Sequence, residues 1–174
     1  MRKYVAFLRA INVGGTTIIK MADLRKMFES FGLENVQTYI QTGNIIFESA
    51  ETSASRLEEQ IERQLENASG KPIRVFVRTM KEAAALVKDC PFEPGEGETV
   101  HVVILDKKPA KKNIDALIAQ QSKADEFAVK GNSSAFNLRR DREASVFSNN
   151  FIEKVLGVPG TTRNLTTIKK IAEK

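Results

Sequence analysis

Residues 3–11 form a near-continuous apolar run, Tyr4-Val5-Ala6-Phe7-Leu8 at its centre, as a strand buried on both faces requires. Gly14-Gly15 breaks the run. Leu24, Met27, Phe28 and Phe31 then recur at i, i+3, i+4 and i+7, which predicts a helix with one buried stripe, closed by Gly32. Val36, Thr38 and Ile40 alternate with Gln37, Tyr39 and Gln41, the pattern of an edge strand. Thr42-Gly43-Asn44 reads as a tight turn on the expectation that Gly and Asn take positive φ, and Ile45-Ile46-Phe47 opens the returning strand. Ser55 and Glu58 have capping-box spacing for a helix carrying Leu57, Ile61 and Leu65, ended by Ser69-Gly70-Lys71-Pro72. Ile73, Val75 and Val77 alternate with Arg74, Phe76 and Arg78 as a fourth strand.

The order over residues 1–78 is therefore β-α-β-β-α-β, that of a ferredoxin-like split βαβ half. Residues 79–99 read as a connection: a helix capped by Thr79 and Glu82, then a hinge containing Pro91, Pro94, Gly95 and Gly97. Residues 100–174 begin the same order again. Val100 to Leu105 is a buried strand, and Ile114, Leu117, Ile118 and Gln121 mark a helix. Phe127-Ala128-Val129 and Phe136-Asn137-Leu138 are strands around Gly131-Asn132. Phe151, Ile152, Val155 and Leu156 mark a helix stopped by Gly157 and Pro159, and Leu165, Ile168, Ile171 and Ala172 mark another where a fourth strand is due. The expected fold class is α+β, two ferredoxin-like halves packed as one unit, the second degenerate.

Composition narrows the setting. At 174 residues, 41% hydrophobic and 28% charged, the chain is an ordinary globular one. No apolar run is long enough to span a membrane, and Arg9 and Asn12 interrupt the first run before a signal-peptide core forms. One cysteine, Cys90, allows no internal disulfide and no cysteine-based zinc site. A cytoplasmic protein without a metal or other cofactor is expected. The formal charge of +5 lies wholly in residues 127–174, with nine Lys/Arg against four Asp/Glu. That excess suits either a phosphate or nucleic-acid patch or a solvated lysine-rich helix end.

Candidate chemistry follows from topology. In a 4-1-3-2 sheet the end of the first strand and the hairpin after the second meet at one edge. Arg9, Asn12, Gln41, Thr42 and Asn44 then share that edge with Gly14, Gly15 and Gly43, whose N–H groups are expected to be accessible. A half-buried Arg9 needs a carboxylate or an anionic ligand. Thr161-Thr162-Arg163-Asn164 reads as a helix start, where N–H groups favour anions and Arg163 adds a bidentate donor. With the second half over the open face of the first, Thr162, Arg163 or Asn164 is expected within a side chain's reach of Arg9, Asn12 or Asn44.

Arg-Ala-Ile-Asn-Val-Gly-Gly (9–15), Gln-Thr-Gly-Asn-Ile-Ile-Phe (41–47) and Thr-Thr-Arg-Asn (161–164) resemble the bacterial family catalogued as domain of unknown function 1697. The resemblance implies paired ferredoxin-like halves across essentially the whole chain. It brings no activity. Its polar positions fall on Arg9, Asn12, Gly14, Gly15, Gln41, Gly43, Asn44, Thr162, Arg163 and Asn164. Ala10, Leu165 and Thr166 stand where glycine, tryptophan and asparagine are common in it.

Other chemistries find less support. His101 is the single histidine, and nothing in the pattern places it beside Cys90 or a serine as the base of a nucleophile. His101 reads as a hydrogen-bonded core residue and Cys90 as inert. No phosphate-loop motif occurs, and the stacking aromatics of an RRM are absent from Asn44-Ile45-Ile46-Phe47-Glu48. The leading expectation is a protein binding a small phosphate- or carboxylate-bearing ligand, or a nucleic-acid backbone, at the Arg/Asn/Gly cluster. An enzyme using the same donors for oxyanion stabilisation and a structural network between the halves are the alternatives. Oligomeric state is not readable.

Overall fold

The computed structural model describes residues 1–13, 17–131 and 133–174, so Gly14, Gly15 and the Asn132 half of the second-half turn lie outside the described residues. The chain divides into two compact units, Met1–Ala83 and Ala84–Lys174. Each carries a four-stranded antiparallel sheet, and the fold is α+β.

The first unit runs β1 (Arg2–Leu8), α1 (Met21–Ser30), β2 (Glu34–Tyr39), β3 (Asn44–Ser49), α2 (Ala54–Ser69) and β4 (Val75–Thr79). The sheet order is β2-β3-β1-β4. β1 is central, paired with β3 along one edge and β4 along the other, and its apolar run is buried on both faces. Tyr4, Ala6 and Leu8 pack with Ile45, Phe47 and Val77 under Leu24 and Phe28 of α1 and Leu57, Ile61 and Leu65 of α2. Val5, Phe7, Ile46 and Phe76, on the other face, are buried too.

Two helix starts test the capping reading. α2 is capped by Ser53, not Ser55: the Ser53 Oγ accepts from the Arg56 N–H at 3.4 Å. Glu58 has another task. β4 is an edge strand whose outward N–H groups need acceptors, and the carboxylates of α2 supply them. Val77 N–H donates to Glu58 Oε1 and Val75 N–H to Glu62 Oε1, both at 2.8 Å. The helix that follows, α3 (Met80–Lys88), does carry the reciprocal box: Thr79 N–H donates to Glu82 Oε2 at 2.7 Å and Glu82 N–H to Thr79 Oγ1 at 3.2 Å. Thr79→Ala is expected to lower stability by about 1 kcal/mol, read as a shift in the urea midpoint at unchanged slope.

The second unit runs β5 (Glu98–Leu105), α4 (Lys111–Ile118), β6 (Asp125–Lys130), β7 (Ser134–Arg140), α5 (Asn149–Leu156), β8 (Gly160–Asn164) and α6 (Leu165–Ala172). Its sheet order is β6-β7-β5-β8, so each strand holds the place of its counterpart in the first unit. The expectation of a degenerate second half is thereby corrected. The fourth strand exists, and it is the segment read as a helix start. β8 is five residues of glycine, threonines, arginine and asparagine without an apolar alternation; only its ladder to β5, from Leu105↔Gly160 to His101↔Asn164, makes it a strand. Gly160 permits that approach, since a Cβ there would stand 3.1 Å from the Ile104 carbonyl oxygen. The core beneath α4 and α5 is Val103, Leu105, Leu117, Phe127, Ala135, Ile152 and Leu156.

Candidate functional site

In the first unit the sequence-predicted residues gather where β1 leaves the sheet. Leu8 N–H donates to the Gly43 carbonyl and Arg9 N–H to the Arg74 carbonyl, both at 2.9 Å. The backbone then enters the left-handed region at Ala10 (φ +56°) and Asn12 (φ +54°), and does so again at Ile40 (φ +50°). Such non-glycine conformations cost about 1–2 kcal/mol each and persist only where surrounding bonds enforce them. Ala10 carries that strain without a glycine's freedom.

Asn12 supplies the enforcement. Its Nδ2 donates to the Ile19 carbonyl at 3.0 Å and to the Gln41 carbonyl at 2.9 Å, while its Oδ1 accepts from Ile19 N–H at 2.9 Å. One amide thus ties the loop to itself and to the hairpin tip. Asn44, fully buried, is the first residue of β3 and not a turn residue; its Nδ2 donates to the Tyr39 carbonyl at 3.1 Å and to Thr42 Oγ1 at 2.9 Å. The positive φ of this hairpin falls on Ile40 and on Gly43 (φ +78°). Gly43 is also buried, which corrects the expectation of an accessible N–H edge: a Cβ there would lie 2.7 Å from Ile11 Cδ1. Close packing with Ile11 and Leu8, and not ligand access, is what requires glycine. Gln41 enters the arrangement through its carbonyl, with an exposed side chain.

Beside this knot lies a cleft of about 390 Å³ whose polar lining is Arg9, Thr17, Arg74, Glu62 and Glu66. Arg74 Nε is 3.5 Å from Glu62 Oε1, whose oxygen already accepts the Val75 N–H. Arg74 was not among the residues singled out in the sequence. As one arginine of an alternating strand it carries no local mark; only its pairing with Arg9 brings it in. Val13, Ile18 and Ile40 stand exposed around the same loop and hairpin tip.

In the second unit Thr162, Arg163 and Asn164 lie on β8. Asn164 occupies the N-cap position of α6, yet its side chain makes no cap hydrogen bond. Thr162 Oγ1 donates to Asn149 Oδ1 at 2.8 Å, tying β8 to α5. Arg163, on the opposite face, is buried and donates through Nη1 to Thr161 Oγ1 and the Thr162 carbonyl, both at 2.8 Å. Burial pulls its guanidinium down to about 10, which still leaves it charged at neutral pH.

A polar chain missed by the sequence reading crosses the same sheet. His101 Nδ1 is 3.1 Å from Asn137 Oδ1, Asn137 Nδ2 donates to Asp125 Oδ1 at 2.9 Å, and Ser145 Oγ donates to both Asp125 oxygens at 2.8 Å. Asp125 and Asn137 are fully buried. The imidazole stacks on Phe147 at 4.6 Å between centroids. Burial pushes its pKa below the ordinary histidine value, against the Asn137 hydrogen bond, which pushes it up. The members stand up to 44 positions apart, so no spacing rule could connect them; the one available hint was a pair of polar residues, Asp125 and Asn137, at core-facing strand positions. Among the described residues no three His, Cys, Asp or Glu side chains gather as metal ligands would. Burial raises the Cys90 thiol above its usual pKa, and its Sγ donates to the Phe92 carbonyl at 3.5 Å, the state of an unreactive thiol. No described helix is long and apolar enough to cross a membrane.

Comparison with known proteins adds a family. A family model described as "Protein of unknown function (DUF1697)" matches residues 1–134. The chain belongs to that family. The match takes in the β1 loop, the first hairpin, His101 and Asp125, and ends at the first residue of β7, so Asn137, Ser145 and the third motif, Thr161–Asn164, lie beyond the matched residues. The chain is also similar to a solved structure, the conserved bacterial protein SP0830 from Streptococcus pneumoniae, with a TM-score of 0.68 at 23% identity over 99% of this chain and 97% of that one. That likeness concerns the fold alone. No curated protein matches the chain.

Proposed function

We propose that this DUF1697 chain is a cytoplasmic bacterial protein, built from two ferredoxin-like halves that arose by duplication, and that its first unit binds a small ligand bearing a phosphate or carboxylate group. The observation that carries the reading is the placement of Arg9 and Arg74. The Arg9 N–H to Arg74 carbonyl bond of 2.9 Å holds the two residues side by side, and both line the cleft beside Thr17. Two guanidiniums in one cleft offer charge-assisted hydrogen bonds to an anion. Glu62, 3.5 Å from Arg74, and Glu66 line the same cleft and suit a ligand whose far end donates hydrogen bonds, as a nucleotide or an amino-sugar phosphate does. Asn12, Thr42, Gly43 and Asn44 support the site from behind by holding the loop and the hairpin in register.

The test is calorimetric binding of nucleotides, phosphorylated metabolites and short RNA to the wild type, Arg9→Ala and Arg74→Ala. Each arginine lost is expected to weaken binding by roughly ten- to a hundred-fold, the equivalent of one charge-assisted bond, with little change in melting temperature. A second reading, a purely structural knot, is favoured by the three bonds of the Asn12 amide. It predicts instead that no anion binds wild type and that Arg9→Ala melts markedly lower.

A further inference from the structure

We propose that His101, Arg139 and Asn164 form a second, separate site in the second unit that takes a singly protonated phosphate group, as carried by inorganic phosphate or a phosphate monoester.

The argument begins with a tautomer. Asn137 Nδ2 faces two acceptors, Asp125 Oδ1 at 2.9 Å and the Glu126 carbonyl at 3.4 Å. A flipped amide would set its oxygen against the Asp125 carboxylate, so the oxygen faces His101. An oxygen there requires the proton on His101 Nδ1, which leaves Nε2 with a lone pair. The Asp125 carboxylate anchors the chain through the Ser145 hydroxyl and the Val146 N–H. The result is an imidazole held in one orientation by two residues behind it, with an acceptor on its remaining nitrogen.

The second component is an unsatisfied donor. Arg139 lies on β7 two residues beyond Asn137, on the same face, opposite Thr99 of β5 and Asp125 of β6. The side chain is half-buried, and its Nε, shielded from solvent, has no acceptor among the described residues. The carboxylate nearest in register, Asp125, is already occupied by Asn137, Ser145 and Val146. A buried guanidinium nitrogen without an acceptor is costly and calls for one from outside the chain. Asn164 is the third component. β5 lies between β7 and β8, so Asn137 and Asn164 flank His101 from its two sides, and Asn164 is exposed.

The chemistry of the donors and acceptors selects the ligand. Arg139 wants an anion; neutral His101 wants a hydrogen-bond donor. A carboxylate at neutral pH accepts but has no proton to give, and sulfate is likewise proton-free. A phosphate monoester in its monoanionic form, still within easy reach at neutral pH because its second pKa is near 6, offers both an anionic oxygen and a P–OH. The charged groups near the ring are Arg139, which adds to burial in keeping it neutral, and Asp125 and Asp141, which oppose that. An anion seated against Arg139 cancels the first of these, so binding should raise the His101 pKa.

His101 is the only histidine in the chain, so its ring gives one unambiguous set of signals in long-range 1H–15N correlation spectra of the full-length protein. The free protein should show the Nδ1–H tautomer at neutral pH. Inorganic phosphate and glycerol phosphate should shift the ring signals saturably and raise the His101 pKa, while sulfate at equal concentration should bind at least ten-fold more weakly. Arg139→Gln should lose the response. Asn164→Asp, at an exposed position that does not threaten folding, should weaken phosphate at least ten-fold by repulsion. Arg9→Ala should leave the response intact, which separates this site from the one in the first unit. An Nε2–H tautomer, equal responses to phosphate and sulfate, no response to either, or an unchanged response in Asn164→Asp would each overturn the proposal.

Discussion

Asp125→Ala is expected to destabilise the protein by about 3–5 kcal/mol, the cost of removing one member of a buried, hydrogen-bonded polar group that leaves the others unmatched. The wild-type carboxylate accepts from Asn137 Nδ2, from Ser145 Oγ with both oxygens, and from Val146 N–H. It is wholly buried, so water cannot replace it without opening the strand β6 edge. Alanine strands the Asn137 amide in the sheet interior and releases residues 145–146 from the sheet. A loss of this size is a large part of the 5–15 kcal/mol that holds a typical domain, about 0.05–0.15 kcal/mol per residue. Urea unfolding followed by circular dichroism reads the loss; a change below about 1 kcal/mol would show that the network is solvated and adjustable. The same variant should mix the His101 tautomers, because nothing then holds the Asn137 oxygen toward the ring.

Gly43→Ala should cost about 2–5 kcal/mol through two additive causes. At φ +78° an alanine suffers the left-handed penalty of about 1–2 kcal/mol. Its Cβ would also meet Ile11 Cδ1 at 2.7 Å, Ile11 Cγ1 at 2.8 Å and Leu8 Cβ at 3.0 Å. Overpacking of this kind adds about 1–3 kcal/mol. The Leu8 contact is with a Cβ fixed to the central strand, so the clash cannot be relieved by rotating a side chain. Ile11→Val removes Cδ1 and should recover part of the loss, giving a double-mutant coupling of about 1 kcal/mol. Additive losses in the double variant would place the cost in backbone conformation alone. Because Gly43 also accepts the Leu8 N–H, the variant should loosen the β1 exit and with it the placement of Arg9.

The elements with one-dimensional signatures are legible in the chain. The double-sided apolar run of Tyr4–Leu8 could only be an interior strand, and the stripes Leu24/Phe28 and Leu57/Ile61/Leu65 could only be helices lying on a sheet, because burial of those side chains dominates the free energy at each position. The Thr79–Glu82 box was legible for the same reason: both partners lie within one turn. The grouping of Asn12 with the first hairpin also followed from strand order, once the order of elements was set.

What the sequence alone could not decide is each case in which a residue answers to a distant partner. Glu58 has capping spacing to Ser55, yet the unsatisfied N–H of Val77, nineteen positions away, claims it. Gly43 looks like a turn glycine, and its environment is set by Ile11 from the loop that follows β1. Thr161–Asn164 has the polarity of a helix cap, and β5 makes it a strand. His101 looks solitary until Asn137 and Asp125 are folded against it. The physical reason is common to all four. Periodicity and capping are energies between neighbours in the chain, whereas hydrogen-bond satisfaction and close packing are settled among whichever groups the sheet brings together.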